Sequence, residues 1–136
     1  MSTQQVFDQI LAKMRTQGKP AIDPTSKKCE YKTDEGLHCA IGCLLNDEIV
    51  GEWGKLKGMG IKQLPDSIVD YLSDLAGGLD DAEYFFSRCQ QAHDDACWYD
   101  CEAVTSSDWL YGFEKNMQNV ASSYNLTYSP PAPTPT

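Results

Sequence analysis

Apolar residues return at helical spacing in four stretches of the chain. In the first, Val6, Phe7, Ile10, Leu11 and Met14 fall on one face at a period of 3.6. Ser2 with Gln5 three residues on makes a capping box ahead of them. Gly18 can take the left-handed position that stops a helix, and Pro20 prevents resumption. The second stripe is Ile68, Val69, Leu72, Leu75 and Ala76, opened by Pro65 and closed by Gly77 and Gly78. A third follows with Ala82, Phe85, Phe86, Cys89, Ala92 and Ala96, where Asp80 and Glu83 supply the opening cap. The fourth carries Trp109, Leu110, Phe113, Met117, Val120, Ala121 and Tyr124, and Asn125 can close it.

Between the first and second stripes the pattern changes. Residues 19–28, with Pro20, Pro24, Thr25 and Ser26, read as a loop. Residues 29–33 have strand-forming Tyr and Thr, Asp34-Glu35-Gly36 is a turn, and residues 37–41 would return as a second strand. A lone two-stranded hairpin is marginal, so this one must pack on the helices. Tyr31, Cys39 and Ile41 would then share its buried face, with Gly36 and Gly42 meeting backbone requirements. Asn46 before Asp47 and Glu48 caps a short helical turn. Residues 51–60 hold four glycines without a phosphate-loop ending and predict an irregular connection. The fold expected is α+β and mainly α: about four amphipathic helices packed with a small Cys-bearing β-hairpin over residues 29–41. One globular domain would span residues 1–128, followed by an extended, disordered Pro-rich tail over 129–136.

A length of 136 residues suffices to bury one core without staples. No run of 18 apolar residues offers a membrane span. The first residues lack a basic region followed by an apolar block, so no signal peptide is expected and the cytosol is the expected site. Six cysteines in such a setting read as thiols or metal ligands before disulfides.

The net charge of −9 is unevenly distributed. Residues 1–65 carry 8 acids against 9 bases, whereas residues 66–108 carry 11 acids against Arg88 alone. Nucleic acid is excluded as a direct partner, because phosphate binding needs clustered Lys and Arg. The acidic block suits a basic protein surface, and Asp66, Asp70 and Asp74 would stack along one helix side, opposite its apolar stripe. Asp80, Asp81, Glu83, Asp94 and Asp95 extend the candidate docking residues.

Two cysteine groups could hold zinc. Cys29, Cys39 and Cys43 lie near His38, while Cys89, His93, Cys97 and Cys101 recur every four residues. Four ligands along a continuous helix would span about 18 Å, so the second set cannot share one ion unless the helix breaks. Neither has paired Cys-x-x-Cys knuckles, and the competing reading is that Cys29, Cys39 and Cys89 are small buried hydrophobes. Nucleophilic catalysis has a similar obstacle. His38 and Cys39 are sequence neighbours, which in a strand face opposite ways, and a thiol reached by His93 across space cannot be read from sequence.

Cys29-Glu30-Tyr31-Lys32, then residues 36–42 reading Gly-Leu-His-Cys-Ala-Ile-Gly, then Leu44-Leu45 and Asp47-Glu48, resemble a motif of small uncharacterised tailed-phage and prophage proteins. This chain has Lys32 where that motif usually has Arg and Asn46 where it usually has Pro. The resemblance covers about 20 residues. It implies a virus-encoded accessory protein made in a bacterial cytosol and is silent on activity. The leading expectation is thus a non-enzymatic, phage-encoded protein that binds and blocks a host protein through its acidic surface. The alternatives are a zinc-stabilised domain and, third, a thiol enzyme.

Overall fold

The computed structural model describes residues 2–22, 29–79, 81–96 and 106–130. Its helices are α1 (Thr3–Gln17), α2 (Asp47–Val50), α3 (Asp66–Leu75), α4 (Ala82–Asp95) and α5 (Ser106–Ser123), with single 3-10 turns at Gly42–Leu44, Trp53–Leu56 and Ile61–Gln63. The local signals act where the sequence places them. Ser2 and Gln5 form the reciprocal capping box, and Gly18 closes α1 at φ 73°. Asn46 accepts the Ile49 amide at the start of α2. Asn125 ends α5 at φ 56°, where the Leu126 amide bonds back to the Ala121 carbonyl. Asp80 lies outside the described residues. Asp81 precedes α4 in the left-handed conformation and makes no side-chain cap.

The expected hairpin is absent: no strand or sheet forms among the described residues, and the fold is mainly helical rather than α+β. Two isolated antiparallel pairings stand in its place, Ile22 with Cys29 and Lys32 with His38. The turn itself forms, with Gly36 at φ 89° and the Thr33 amide on the Leu37 carbonyl at 2.8 Å. The ladder then fails on both sides. Thr33 Oγ captures the Leu37 amide at 3.1 Å, a local bond that competes with strand pairing. Beyond Cys39 the chain coils, and the Cys43 amide reaches back to the Cys39 carbonyl at 3.0 Å. Gly42 presses on the Tyr31 backbone so closely that a Cβ there would lie 1.8 Å from the Tyr31 carbonyl oxygen. Tyr31, Cys39 and Ile41 are all buried, but as parts of a compact loop and not as one face of a sheet.

The core gathers around α4 and α5, the most extensively packed pair. Phe85, Phe86 and Cys89 of α4 meet Trp109, Phe113 and Met117 of α5, and α1 adds Phe7, Ile10 and Met14. Arg15 grips Glu114 with two 2.7 Å bonds, and Tyr128 donates to the same carboxylate at 2.8 Å. Gln4 exchanges two hydrogen bonds with the Thr127 backbone, so the segment after α5 lies fastened along α1. Among the described residues no helix is long and apolar enough to cross a membrane.

Candidate functional site

The last turn of α4 points into the molecule, because its stripe of Phe85, Phe86, Cys89 and Ala92 ends on His93. The ring is fully buried, an unusual setting for an ionisable group unless its polar atoms are met. Three partners meet them, from two elements. Nδ1 lies 2.8 Å from Asp94 Oδ1, its neighbour on α4. Nε2 accepts the Ala21 amide at 3.1 Å from the loop after α1. The same loop delivers the third partner: the Ile22–Cys29 pairing and the Glu30 amide on the Ala21 carbonyl bring Cys29 back to α4. The Cys29 side chain hydrogen-bonds His93. Sulfur, one imidazole nitrogen and one Asp94 oxygen all lie within 4.8 Å of one another.

The surroundings hold this group in place. The His93 carbonyl accepts Trp109 Nε1 at 3.0 Å, and the two rings meet edge to face at 5.3 Å. Gln90 donates to Asp94 Oδ1 at 3.0 Å and accepts the Ile41 amide at 3.3 Å, tying the 39–45 loop to the same carboxylate. With Nε2 accepting, the ring proton belongs on Nδ1, where Asp94 receives it. Burial disfavours the charged imidazole, but the bonds to Asp94 and Cys29 outweigh it and raise the His93 pKa above its ordinary value. A second proton would have to enter at Nε2, the position held by the Ala21 amide.

No protein-family model matches this chain, and neither a curated protein nor a solved structure does. The chemistry must be read from the site.

Cys29 is half-buried and opens onto a pocket of about 360 Å³ whose walls include Glu30, Tyr31, Leu56, Met59 and Asp94. Of the other described thiols, Cys39 and Cys89 have no such access, and Cys43, though buried, borders a shallow groove shared with His38 and Lys13. Cys39 is fully buried, its sulfur taking the Gly42 amide at 3.2 Å; Cys43 donates to the Ala40 carbonyl at 3.0 Å. Burial pushes the Cys43 thiol up to about 12 and raises those of Cys39 and Cys89 as well, so all three stay protonated. Of the zinc candidates among the described residues, Cys29 and His93 are the pair whose ligand atoms cluster with a third, that of Asp94. Cys97 and Cys101 lie outside the described residues. Cys29, His93 and Asp94 offer three ligand atoms within 4.8 Å of one another, and a metal there would have to displace either the Ala21 amide from Nε2 or the proton between Nδ1 and Asp94. His38 is elsewhere, edge-on to Trp53 at 5.6 Å, with its amide and carbonyl both held by Gln17.

The acidic candidates divide. Asp66, Asp70 and Asp74 are exposed on α3 and make no ion pair among the described residues. Asp81 and Glu83 line a groove beside α3 together with Lys62 and Tyr84. Asp95 is exposed, whereas Asp94 belongs to the thiol site. Sequence reasoning missed that last role, and missed Ala21 and Gln90 altogether. The available signal was a histidine ending an apolar helical stripe, which demands buried polar partners.

Proposed function

We propose that this protein is a thiol-dependent enzyme, with Cys29 as its nucleophile. One observation carries this reading: the half-exposed Cys29 thiol, at the mouth of a pocket, is hydrogen-bonded to a buried imidazole whose Nδ1 is held by a carboxylate. In the reaction the thiol proton passes to Nε2 as sulfur attacks the electrophilic atom of a bound substrate. The leaving group departs with that proton, and the attacked group remains bonded to the Cys29 sulfur until water or a second acceptor takes it. Nε2 can take the proton only if the Ala21 amide turns away, so ligand binding in the pocket is coupled to movement of the loop after α1.

Labelling with a neutral thiol-directed electrophile, mapped by peptide mass spectrometry, tests this. Cys29 should react faster than a free cysteine in an unstructured peptide at the same pH, and Asp94→Asn should slow it several-fold. A Cys29 that reacts no faster than the peptide, with Asp94→Asn without effect, overturns the reading.

A second reading is favoured by the exposed, unpaired row on α3. Asp66, Asp70 and Asp74 suit docking to a basic surface of a bacterial host protein, as expected of a phage accessory protein that acts in its host's cytosol. The resemblance of residues 29–48 supports that origin. Changing the three to Asn together should abolish salt-sensitive capture of a host protein from bacterial lysate; capture that persists unaltered removes the acidic face from consideration.

A further inference from the structure

The pocket in front of Cys29 has a chemical bias. Two of its walls are carboxylates, Glu30 and Asp94. The Glu30 side chain is only 10% exposed, and its cationic neighbour Lys57 stands 3.5 Å away with 59% of its own side chain in solvent. Several donors at the pocket are already engaged. Tyr31 gives its hydroxyl proton to the Met59 carbonyl at 2.9 Å, and the amides of Glu30, Met59 and Gly60 are bonded to Ala21, Leu56 and Gln63. The two carboxylates stand among apolar walls supplied by Leu56, Met59 and Tyr31. At about 360 Å³ the space lies at the small end of ligand pockets and suits one side-chain-sized group.

We infer that the Cys29 pocket selects electrophilic substrates carrying a positive charge, an ammonium or guanidinium seated between Glu30 and Asp94. This rests on Cys29 being the reactive thiol. Carboxylates at the wall lower the energy of an approaching cation and raise that of an anion, and the effect grows as water is displaced from a confined site. The Tyr31 ring adds a face against which a cation can lie.

Three methanethiosulfonates with the same reactive group and an ammonium, neutral or sulfonate tail probe this directly. Each forms a disulfide with Cys29 and releases methanesulfinate. With rates divided by those of a free cysteine peptide, the ammonium reagent should modify Cys29 about tenfold faster than the sulfonate reagent. Glu30→Gln should narrow that ratio to about threefold, and Lys57→Gln, an exposed change that leaves the fold intact, should widen it. Equal normalised rates in the unaltered protein, or a ratio that neither variant moves, overturn the charge selection while leaving Cys29 as nucleophile. A Cys29 that none of the three reagents modifies overturns both.

The source of the charge is separated by protection against the neutral reagent. Protection by n-butylammonium alone assigns a small amine, and protection by an arginine-containing tripeptide alone assigns a peptide side chain. Protection by both assigns the shared cationic group, and protection by neither overturns the cation site.

Discussion

Two thiol environments lie within one small core, and they differ in almost everything but the residue. Around Gly42, Cys39 is closed off and Cys43 nearly so, both bonded to backbone atoms, and Cys89 is sealed on the apolar face of α4. Cys29 sits at a pocket mouth against an imidazole and a carboxylate. Cys39 and Cys43 lie inside the motif-like stretch that Cys29 opens, whereas the His93 and Asp94 partners of Cys29 come from a helix far along the sequence. What makes a cysteine reactive is access and a charged neighbour, and a tight motif can supply neither.

The strongest way to break this contrast is Gly42→Ala. The added Cβ would meet the Tyr31 carbonyl oxygen at 1.8 Å and its carbon at 2.7 Å, a backbone clash with no flexible side chain to yield. A loss of about 3 kcal/mol or more is expected in denaturant unfolding, with Cys39 and Cys43 becoming open to alkylation. Next comes His93→Ala, which strands the Ala21 amide and Asp94 and opens a cavity against Trp109. It should cost about 2–4 kcal/mol, with a shift in tryptophan emission; a loss under about 1 kcal/mol would show that the buried ring is not the hub described.

A smaller perturbation sharpens the comparison. In the native protein a neutral alkylating agent should modify Cys29 about a hundredfold faster than Cys39 or Cys89, and full denaturation should erase the difference. Equal native rates would mean that the two environments exchange readily.

The faintest effect concerns His38, beside the buried thiol loop. Burial first, then Lys32 and Lys13, lowers its pKa, so the folded state favours the neutral ring. Its contribution is complete above about pH 6.5 and is lost as the pH falls towards the depressed folded value. His38→Gln should therefore flatten a slight loss of melting temperature between about pH 6.5 and 5.

Much of the helical scaffold was legible because its signals are local. The Ser2–Gln5 box, the Gly18 stop, the Asn46 cap and the Asn125 stop each act within a few residues, and the apolar stripes name the buried faces. The hairpin was misread for a reason equally physical: Tyr and Thr favour strands, but Thr33 used its hydroxyl to hold the Leu37 amide, and Gly42 allowed the chain to fold onto Tyr31 instead of running beside it. The site was hidden for another. The four-residue recurrence of Cys89, His93, Cys97 and Cys101 directed attention along α4, whereas the described partner of His93 arrives from the loop after α1. Asp94 counted as one more surface acid until Gln90 and His93 were seen to hold it.

The bonds between Gln4 and Thr127 bear on how this molecule could be rewired. Because the start of α1 and the segment after α5 lie side by side, a short bridge between them would close the backbone into a ring. Fresh ends cut at the Gly77-Gly78 turn would then yield a permuted protein with the thiol site untouched. By the same adjacency, labels placed at Gln4 and Thr127 report on one corner of the molecule, and a pull applied at those two positions would load that small clasp before any of the core.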